Sequence, residues 1–293
     1  MAPRKKGTKA IEHQNFELLI LSDWHLGSRL CNLDYLIEFL QHNNANTIIL
    51  LGDIWEELHE YKYKAEKIAV VEQLLLDKLN RGTAFFFLPG NHDFTRAPHA
   101  KKFTGNSAAR KHMRRAFART GHDILSHPNM HITTRMVLEI NGDRHLIEHG
   151  DACDSLMHNK NGQYVGTKVN EYGAYGLSAR MFRKIKRAFT LMRINVYLNE
   201  LNAHVKEFNR KRGRRRKVDA VVCGHTHMPD NSTLKSGVRY YNTGDWTEHC
   251  TALVQQHKSA RLELVQWRKG EGFTPYRSHH NGPAPNIAQP QMA

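Results

Sequence analysis

The chain has 293 residues, a formal net charge of +15 at pH 7, and 40% hydrophobic and 24% charged residues. This composition is typical of a globular protein with a sizeable apolar core, and it excludes disordered, collagen-like and coiled-coil chains. No apolar run approaches the roughly 18 residues of a membrane-spanning helix, and the basic N-terminus lacks the apolar stretch of a secretory signal. We therefore expect a cytoplasmic protein.

Short apolar runs alternate with segments of helical period, which is typical of an α/β fold. The predicted strands cover residues 16–21, 47–51, 83–88, 135–140, 143–147, 218–223, 238–242, 251–255 and 261–267. The predicted helices cover residues 32–41, 62–80 and 106–119. Residues 176–209 carry two amphipathic stripes and predict two helices inserted between strands.

Most of the positive charge lies in this helical insertion. Residues 177–217 hold fourteen Lys and Arg against two Glu, so they carry +12 of the net +15. Such a concentration predicts a surface that faces an anionic partner. We expect a basic N-terminal tail at residues 1–14, one domain at 15–270 with a helical insertion at about 155–217, and a flexible tail at 271–293.

The four cysteines are widely spaced and form no Cys-x-x-Cys pair. This spacing argues against a disulfide framework or a thiolate zinc site, and it fits a reducing compartment. We expect Cys31, Cys153, Cys223 and Cys250 to pack in the core.

Five polar motifs each follow a predicted strand. They are Asp23-Trp24-His25, Gly52-Asp53-Ile54-Trp55-Glu56, Gly90-Asn91-His92-Asp93, His149-Gly150-Asp151 and Gly224-His225-Thr226-His227. Ligands of open α/β sheets collect beyond the carboxyl ends of the strands. Carboxylate, amide and imidazole groups suit divalent Mn, Fe, Zn or Mg, so the pattern predicts a metal site.

These motifs, in this order, resemble the calcineurin-like metallophosphoesterase superfamily, and the resemblance extends from Phe16 to about Trp267. It implies a four-layer α/β/β/α sandwich with a dinuclear metal centre. We expect the two divalent ions to be Mn²⁺. By resemblance, one metal is held by Asp23, His25, Asp53 and His227. The second is held by Asp53, Asn91, His149 and His225, with Asp53 as the bridge.

The same resemblance implies roles for two further residues: His92 contacts the phosphate and assists the leaving oxygen, and Glu56 occupies the position of the carboxylate that orients this histidine. Two divalent ions can activate a water for attack on phosphorus and clamp the phosphoryl oxygens. The predicted reaction is hydrolysis of a phosphodiester or pyrophosphate bond without a serine or cysteine nucleophile.

Three features resemble one branch of the superfamily, the UDP-2,3-diacylglucosamine diphosphatases of lipid A synthesis. They are Ser22-Asp23-Trp24-His25-Leu26, the basic helical insertion after residues 149–151, and Gly224-His225-Thr226-His227-Met228-Pro229 with Asn242-Thr243-Gly244-Asp245-Trp246. The chain departs from the best-known enzymes of that branch at His92, where they carry Arg, so the natural substrate can differ.

The insertion predicts a lid with an apolar inner wall and a cationic rim. Its candidate substrate contacts, besides Asn91 and His92, are Arg180, Arg183, Lys184 and Arg187. Such a lid suits an acylated phosphate ester at an anionic membrane, where each nearby cation adds about 1 kcal/mol. We therefore expect peripheral contact with the inner face of the membrane.

Two other functions fit the sequence. A nuclease or nucleotide phosphodiesterase of the same superfamily would use the basic residues to follow a phosphate backbone. Residues 210–217 have no interleaved aromatic side chains for base stacking, which counts against a single-strand platform. A non-catalytic nucleic-acid or membrane adaptor would be expected to have lost a metal ligand, and each of the five motifs keeps its ligands.

Overall fold

The computed structural model describes residues 11–55, 65–93, 124–158, 179–213 and 216–276, and at 157–158 and 179–190 it describes only the backbone. The helices are α1 (Leu33–His42), α2 (Ala65–Asn80), the single turn α3 (Ser155–His158) and α4 (Ala179–Arg212). The strands are β1 (Gln14–Leu21), β2 (Asn43–Leu50), β3 (Ala84–Phe87), β4 (Met130–Ile132), β5 (Arg135–Ile140), β6 (Asp143–Glu148), β7 (Ala220–Cys223), β8 (Asp230–Thr233), β9 (Arg239–Asn242), β10 (Thr251–Gln255), β11 (Glu263–Arg268) and β12 (Gly272–Pro275).

Two sheets stack between helices. The first has the strand order β12-β11-β10-β1-β2-β3-β4, and the second has the order β5-β6-β7-β9-β8. Successive residues of a strand point to opposite faces, and in β2 Ile48 and Leu50 pack on the helix side whereas Ile49 packs in a cluster shared with the second sheet. The far side of the second sheet packs against Leu201 and Val205 of α4. These layers confirm the predicted α/β sandwich.

Parallel pairing brings several strand ends to one edge. In the first sheet, β1, β2 and β3 are parallel, with Leu21 beside Leu50 and Leu50 beside Phe87. In the second sheet, β6, β7 and β9 are parallel, and Ile147 lies beside Val222. The turns that carry the polar motifs therefore lie near one another, at the ends of parallel strands in the two sheets.

The helical insertion differs from the prediction. One continuous helix of 34 residues, α4, replaces the two helices predicted in residues 176–209. The reason is local: the sequence from 179 to 212 contains no glycine or proline to break a helix, and the helix ends before Gly213, whose φ is +72°. Among the described residues, no helix is both long and apolar enough to cross a membrane.

Three short strands were missed by sequence reasoning. β4 has three residues, β8 is polar throughout, and β12 lies inside the predicted tail at 271–293. β12 pairs antiparallel with β11, and Phe273 packs edge-on against Trp267 at a ring distance of 5.2 Å. The predicted tail boundary at 271 is therefore too early. The predicted helix at 106–119 lies outside the described residues.

The cysteine prediction holds. Cys31, Cys153, Cys223 and Cys250 are buried thiols, each less than 6% exposed. Cys31 and Cys250 lie in the cluster between α1 and the first sheet, whereas Cys153 and Cys223 lie under α4. Core packing is confirmed for all four.

Candidate metal centre

Polar side chains gather where the parallel strands of both sheets end. The turns after β1, β2, β3, β6 and β7 present Asp23, His25, Asp53, Asn91, His92, His149, His225 and His227. Two groups of three offer ligand atoms that lie within 4.8 Å of one another. The first group is Asp23, His25 and His227, and the second is Asp53, His149 and His225.

The first group joins the turns after β1 and β7. His227 Nε2 lies 3.3 Å from Asp23 Oδ1 and 3.1 Å from His25 Nε2. Asp23 is fully buried, and its carboxylate accepts the backbone N–H of His225 at 3.0 Å. Burial lowers the pKa of His227, but Asp23 and Asp245 outweigh burial and raise that pKa above its ordinary value. The local field therefore favours positive charge.

The second group joins the turns after β2, β6 and β7. Asp53 Oδ2 lies 3.3 Å from His149 Nε2, and His225 Nδ1 lies 3.1 Å from Asn91 Oδ1. Burial raises the pKa of Asp53, but the imidazoles of His149 and His25 outweigh it and hold this pKa well below its usual range. Asp53 is therefore an anion that faces imidazole nitrogens.

The second group fits a divalent cation. The Nδ1 atom of His149 lies 2.8 Å from the Leu51 carbonyl, to which it can only donate, so the other ring nitrogen, Nε2, faces Asp53. This Nε2 is buried and has no hydrogen-bond partner among the described residues. Burial lowers the pKa of His149, yet the Asp53 carboxylate raises it well above its ordinary value. A bound cation would take the place of the proton that this environment attracts.

Unusual backbone conformations mark the same turns. The φ angles of five residues are positive, between 49° and 66°: Asp23, His25, Asp53, His225 and His227. Such conformations cost of order 1–3 kcal/mol each outside glycine, and they cluster at functional sites. The turns hold each other in place, because Asp23 donates its N–H to Gly52 O at 2.9 Å and His25 donates to Asp53 O at 3.0 Å.

Asp93 supports this arrangement, and sequence reasoning gave it no role. Its Oδ2 accepts the backbone N–H groups of Asp53 at 2.7 Å and Gly90 at 2.8 Å. Its Oδ1 accepts those of Ile54 at 2.9 Å and Trp55 at 3.0 Å. Burial and Asp53 raise the pKa of Asp93, and the bonds from Trp55 and Gly90 counteract them. One carboxylate thus clamps the turns after β2 and β3 together.

Two further carboxylates orient histidines of the site and were also missed. Asp154 Oδ2 accepts from His225 Nε2 at 2.9 Å and from the Arg193 guanidinium at 2.7 Å, and these bonds outweigh burial and lower the pKa of Asp154 to about 2. Asp245 accepts from His227 Nδ1 at 3.2 Å. Carboxylates that bind the second nitrogen of a ligand histidine fix its tautomer and ring orientation. The available signal was an acid inside or just after a recognised motif.

The structure describes only some of the other predicted site residues. His92 is partly buried, its ring lies 4.8 Å from that of His25, and its backbone N–H donates to Asp53 Oδ1 at 2.8 Å. Glu56 lies outside the described residues. The backbone of α4 contains the four candidate substrate contacts, whose side chains lie outside the description: Arg180, Arg183, Lys184 and Arg187. The described cation of α4 nearest the site is Arg193, with its guanidinium 3.4 Å from His225 Nε2.

Gly90→Ala is expected to abolish metal binding at the second group. An added Cβ would press against Asp53 Oδ1 and lie 2.6 Å from His149 Nε2, so it would fill the space between these ligand atoms. Isothermal titration with Mn²⁺ measures the loss. The control is Gly82→Ala, whose Cβ meets nothing within 4 Å and whose φ of +95° affects stability alone. Unchanged Mn²⁺ affinity in Gly90→Ala would contradict this placement of the cation.

Comparisons with known proteins identify the family of the chain. The family model described as calcineurin-like phosphoesterase matches residues 16–229. UDP-2,3-diacylglucosamine hydrolase of Actinobacillus succinogenes is 23% identical over 80% of this chain and 93% of its own length. The protein of that name from Wigglesworthia glossinidia brevipalpis is 24% identical over 86% and 94%. A solved archaeal phosphodiesterase is 16% identical over 85% of this chain and 98% of its own, with a TM-score of 0.39.

Proposed function

The chain belongs to the calcineurin-like phosphoesterase family and is a metal-dependent phosphoester hydrolase, and from this premise we infer that it cleaves the pyrophosphate of UDP-2,3-diacylglucosamine or a related lipid-linked nucleotide. Two relatives with the hydrolase name align over most of both chains. The observation that carries the reaction is the pair of ligand groups at the shared strand edge. The two ligand groups meet at Asp23. Its carboxylate lies beside His227 of the first group and accepts the backbone N–H of His225, a member of the second group.

In this proposal two divalent ions, taken to be Mn²⁺, occupy the two groups. Asp23, His25 and His227 would hold one ion, Asn91, His149 and His225 would hold the other, and Asp53 would contribute to both. When bound, the ions activate a water and neutralise charge on the phosphoryl oxygens. Three carboxylates of the chain hold the site in a fixed geometry. Asp93 fixes the turn that carries Asp53, while Asp154 and Asp245 fix two of the histidine rings.

His92 assists the leaving group in this proposal. Its ring stands edge-on to His25, and its backbone is tied to Asp53 Oδ1, so the imidazole remains beside the first ligand group. A general acid at this place donates a proton to the departing phosphate oxygen and contributes about 10²–10⁴-fold to the rate. Glu56 has the proposed role of orienting the imidazole.

The helical insertion selects the substrate in this proposal. The insertion spans about residues 155–217, and its helix α4 already places Arg193 beside His225. The remaining cations near its start, Arg180, Arg183, Lys184 and Arg187, are proposed to meet the substrate phosphates and an anionic membrane surface. An acylated substrate would then reach the metal ions from the membrane side.

A direct comparison of substrates tests the proposal. The Mn²⁺-loaded full chain is assayed on UDP-2,3-diacylglucosamine, a cyclic nucleotide and single-stranded DNA under identical conditions. We expect UDP-2,3-diacylglucosamine to have a kcat/KM at least about tenfold above the others, a difference of ~1.4 kcal/mol in transition-state stabilisation. Faster cleavage of DNA, with a steep fall as salt rises, would instead support the nuclease function.

A further inference from the structure

A third group of potential ligands lies under α4, outside the proposed phosphoesterase centre. Its members are Glu148, the last residue of β6, Cys153, the last residue of the 3₁₀ turn Asp151–Cys153, and His204 of α4. One ligand atom from each lies within 4.8 Å of the others. Glu148 and Cys153 are five positions apart, whereas His204 follows 51 positions after Cys153, so the fold brings the imidazole to the carboxylate and the thiol.

Glu148 and His204 bring two potential ligand atoms close together. Glu148 Oε1 and His204 Nε2 lie 2.8 Å apart, yet both are buried atoms without a well-formed hydrogen bond to any described residue. Glu148 is only 8% exposed, and Arg135 approaches its other oxygen, Oε2, at 3.8 Å. Oε1 is therefore a buried acceptor atom that no described hydrogen bond satisfies.

The charge around Cys153 favours a cation. This side chain is 5% exposed, and burial together with the anions Glu148, Asp151 and Glu200 raises the pKa of its thiol to about 12, against the weaker opposing effect of Arg135. A divalent ion bound among these groups reverses the effect, because a coordinating thiol is deprotonated. The proton passes to solvent when the metal binds.

We propose that Glu148, Cys153 and His204 form a zinc site separate from the phosphoesterase centre. A mixed set of carboxylate oxygen, thiolate sulfur and imidazole nitrogen suits Zn²⁺, whose tetrahedral coordination water completes. The absence of a Cys-x-x-Cys pair does not argue against such a site, since only one ligand is a cysteine.

The bound ion would tie α4 to the second sheet. Leu201 and Val205 flank His204 and are both fully buried, so this turn of α4 already packs on the sheet. Zn²⁺ would add a bond from that turn to Glu148, whose neighbour His149 belongs to the second ligand group. The site therefore fixes the helix that places Arg193 beside His225.

Cobalt binding to the full chain tests the site. A thiolate ligand gives Co²⁺ a charge-transfer band in the near ultraviolet, and the proposed phosphoesterase ligands contain no sulfur. We expect a band whose final intensity corresponds to one thiolate-bound Co²⁺ per chain and which disappears when Zn²⁺ is added. Cys153→Ala should lose the band and His204→Gln should weaken Co²⁺ binding there at least about tenfold, whereas Cys31→Ala, another buried cysteine, should keep both.

Several outcomes would overturn the site. One is a wild-type chain that fills its oxygen and nitrogen sites with Co²⁺ but shows no thiolate band. Another is a band that survives in Cys153→Ala and His204→Gln and is lost in Cys31→Ala or Cys223→Ala. His204→Gln alone decides if Cys153→Ala fails to fold. The site does not depend on the proposed function, and Asp53→Asn should keep the band.

Discussion

Asp53→Asn is expected to reduce hydrolysis of bis-p-nitrophenyl phosphate with Mn²⁺ by about a thousandfold or more, equivalent to ~4 kcal/mol of transition-state stabilisation. The side chain faces His149 Nε2 with one oxygen and accepts the His92 N–H with the other, and in our proposal it serves both ions. The amide keeps the size of the side chain and the acceptor for His92, but it removes the negative charge between the cations. Steady-state kinetics and the bound Mn²⁺ per chain measure both consequences.

The matched control for this substitution is Asp34→Asn. Asp34 is an exposed residue at the start of α1, pairs with Lys67 at 2.6 Å and belongs to none of the strand-end motifs. An exposed pair of this kind contributes about 0–1 kcal/mol to stability, so the variant should keep full activity and metal. Normal turnover in Asp53→Asn, with wild-type metal content, would contradict a shared carboxylate.

Asp93→Asn is expected to lower the free energy of unfolding of the metal-free chain by about 3–5 kcal/mol. The carboxylate accepts four backbone N–H groups, two on each oxygen. An amide offers one oxygen, and its NH₂ group would face two of these donors. The turns after β2 and β3 would then lose their common clamp, although Asp93 is not a proposed metal ligand.

Urea unfolding in the presence of a chelator measures this loss separately from metal binding. Asp34→Asn again serves as the control and should change stability by less than about 1 kcal/mol. The comparison with Asp53→Asn is informative, because one variant should act on catalysis and the other on the fold. A change below about 1 kcal/mol in Asp93→Asn would mean that the clamp is not an important support of these turns.

Sequence reasoning found those strands that consist of one short, buried apolar run. The apolar residues of β1, β2 and β7 are buried on both faces, so the polar motifs after them stand out. Sequence reasoning was wrong for α4. Its two apolar stripes are separated by polar residues and so resemble two helices, although the chain between them is helical throughout. Sequence reasoning also missed β8, since a polar edge strand lacks an apolar pattern.

The supporting carboxylates show a different limit. Asp93, Asp154 and Asp245 act through contacts with turns or rings that are distant in the chain, such as the bond from His227 to Asp245. Glu148, Cys153 and His204 are separated by up to 56 positions and share no motif. A sequence shows which side chains can bind a metal, but only the packing of α4 on the second sheet brings these three together.

The central claim is that two divalent ions occupy the strand edge between the sheets. Anomalous diffraction from a crystal of the full chain soaked in Mn²⁺ tests it most directly. We predict two manganese peaks about 3.5–4 Å apart, one among Asp23, His25 and His227 and the other among Asp53, His149 and His225. A single peak, or manganese bound only at other places, would contradict the account.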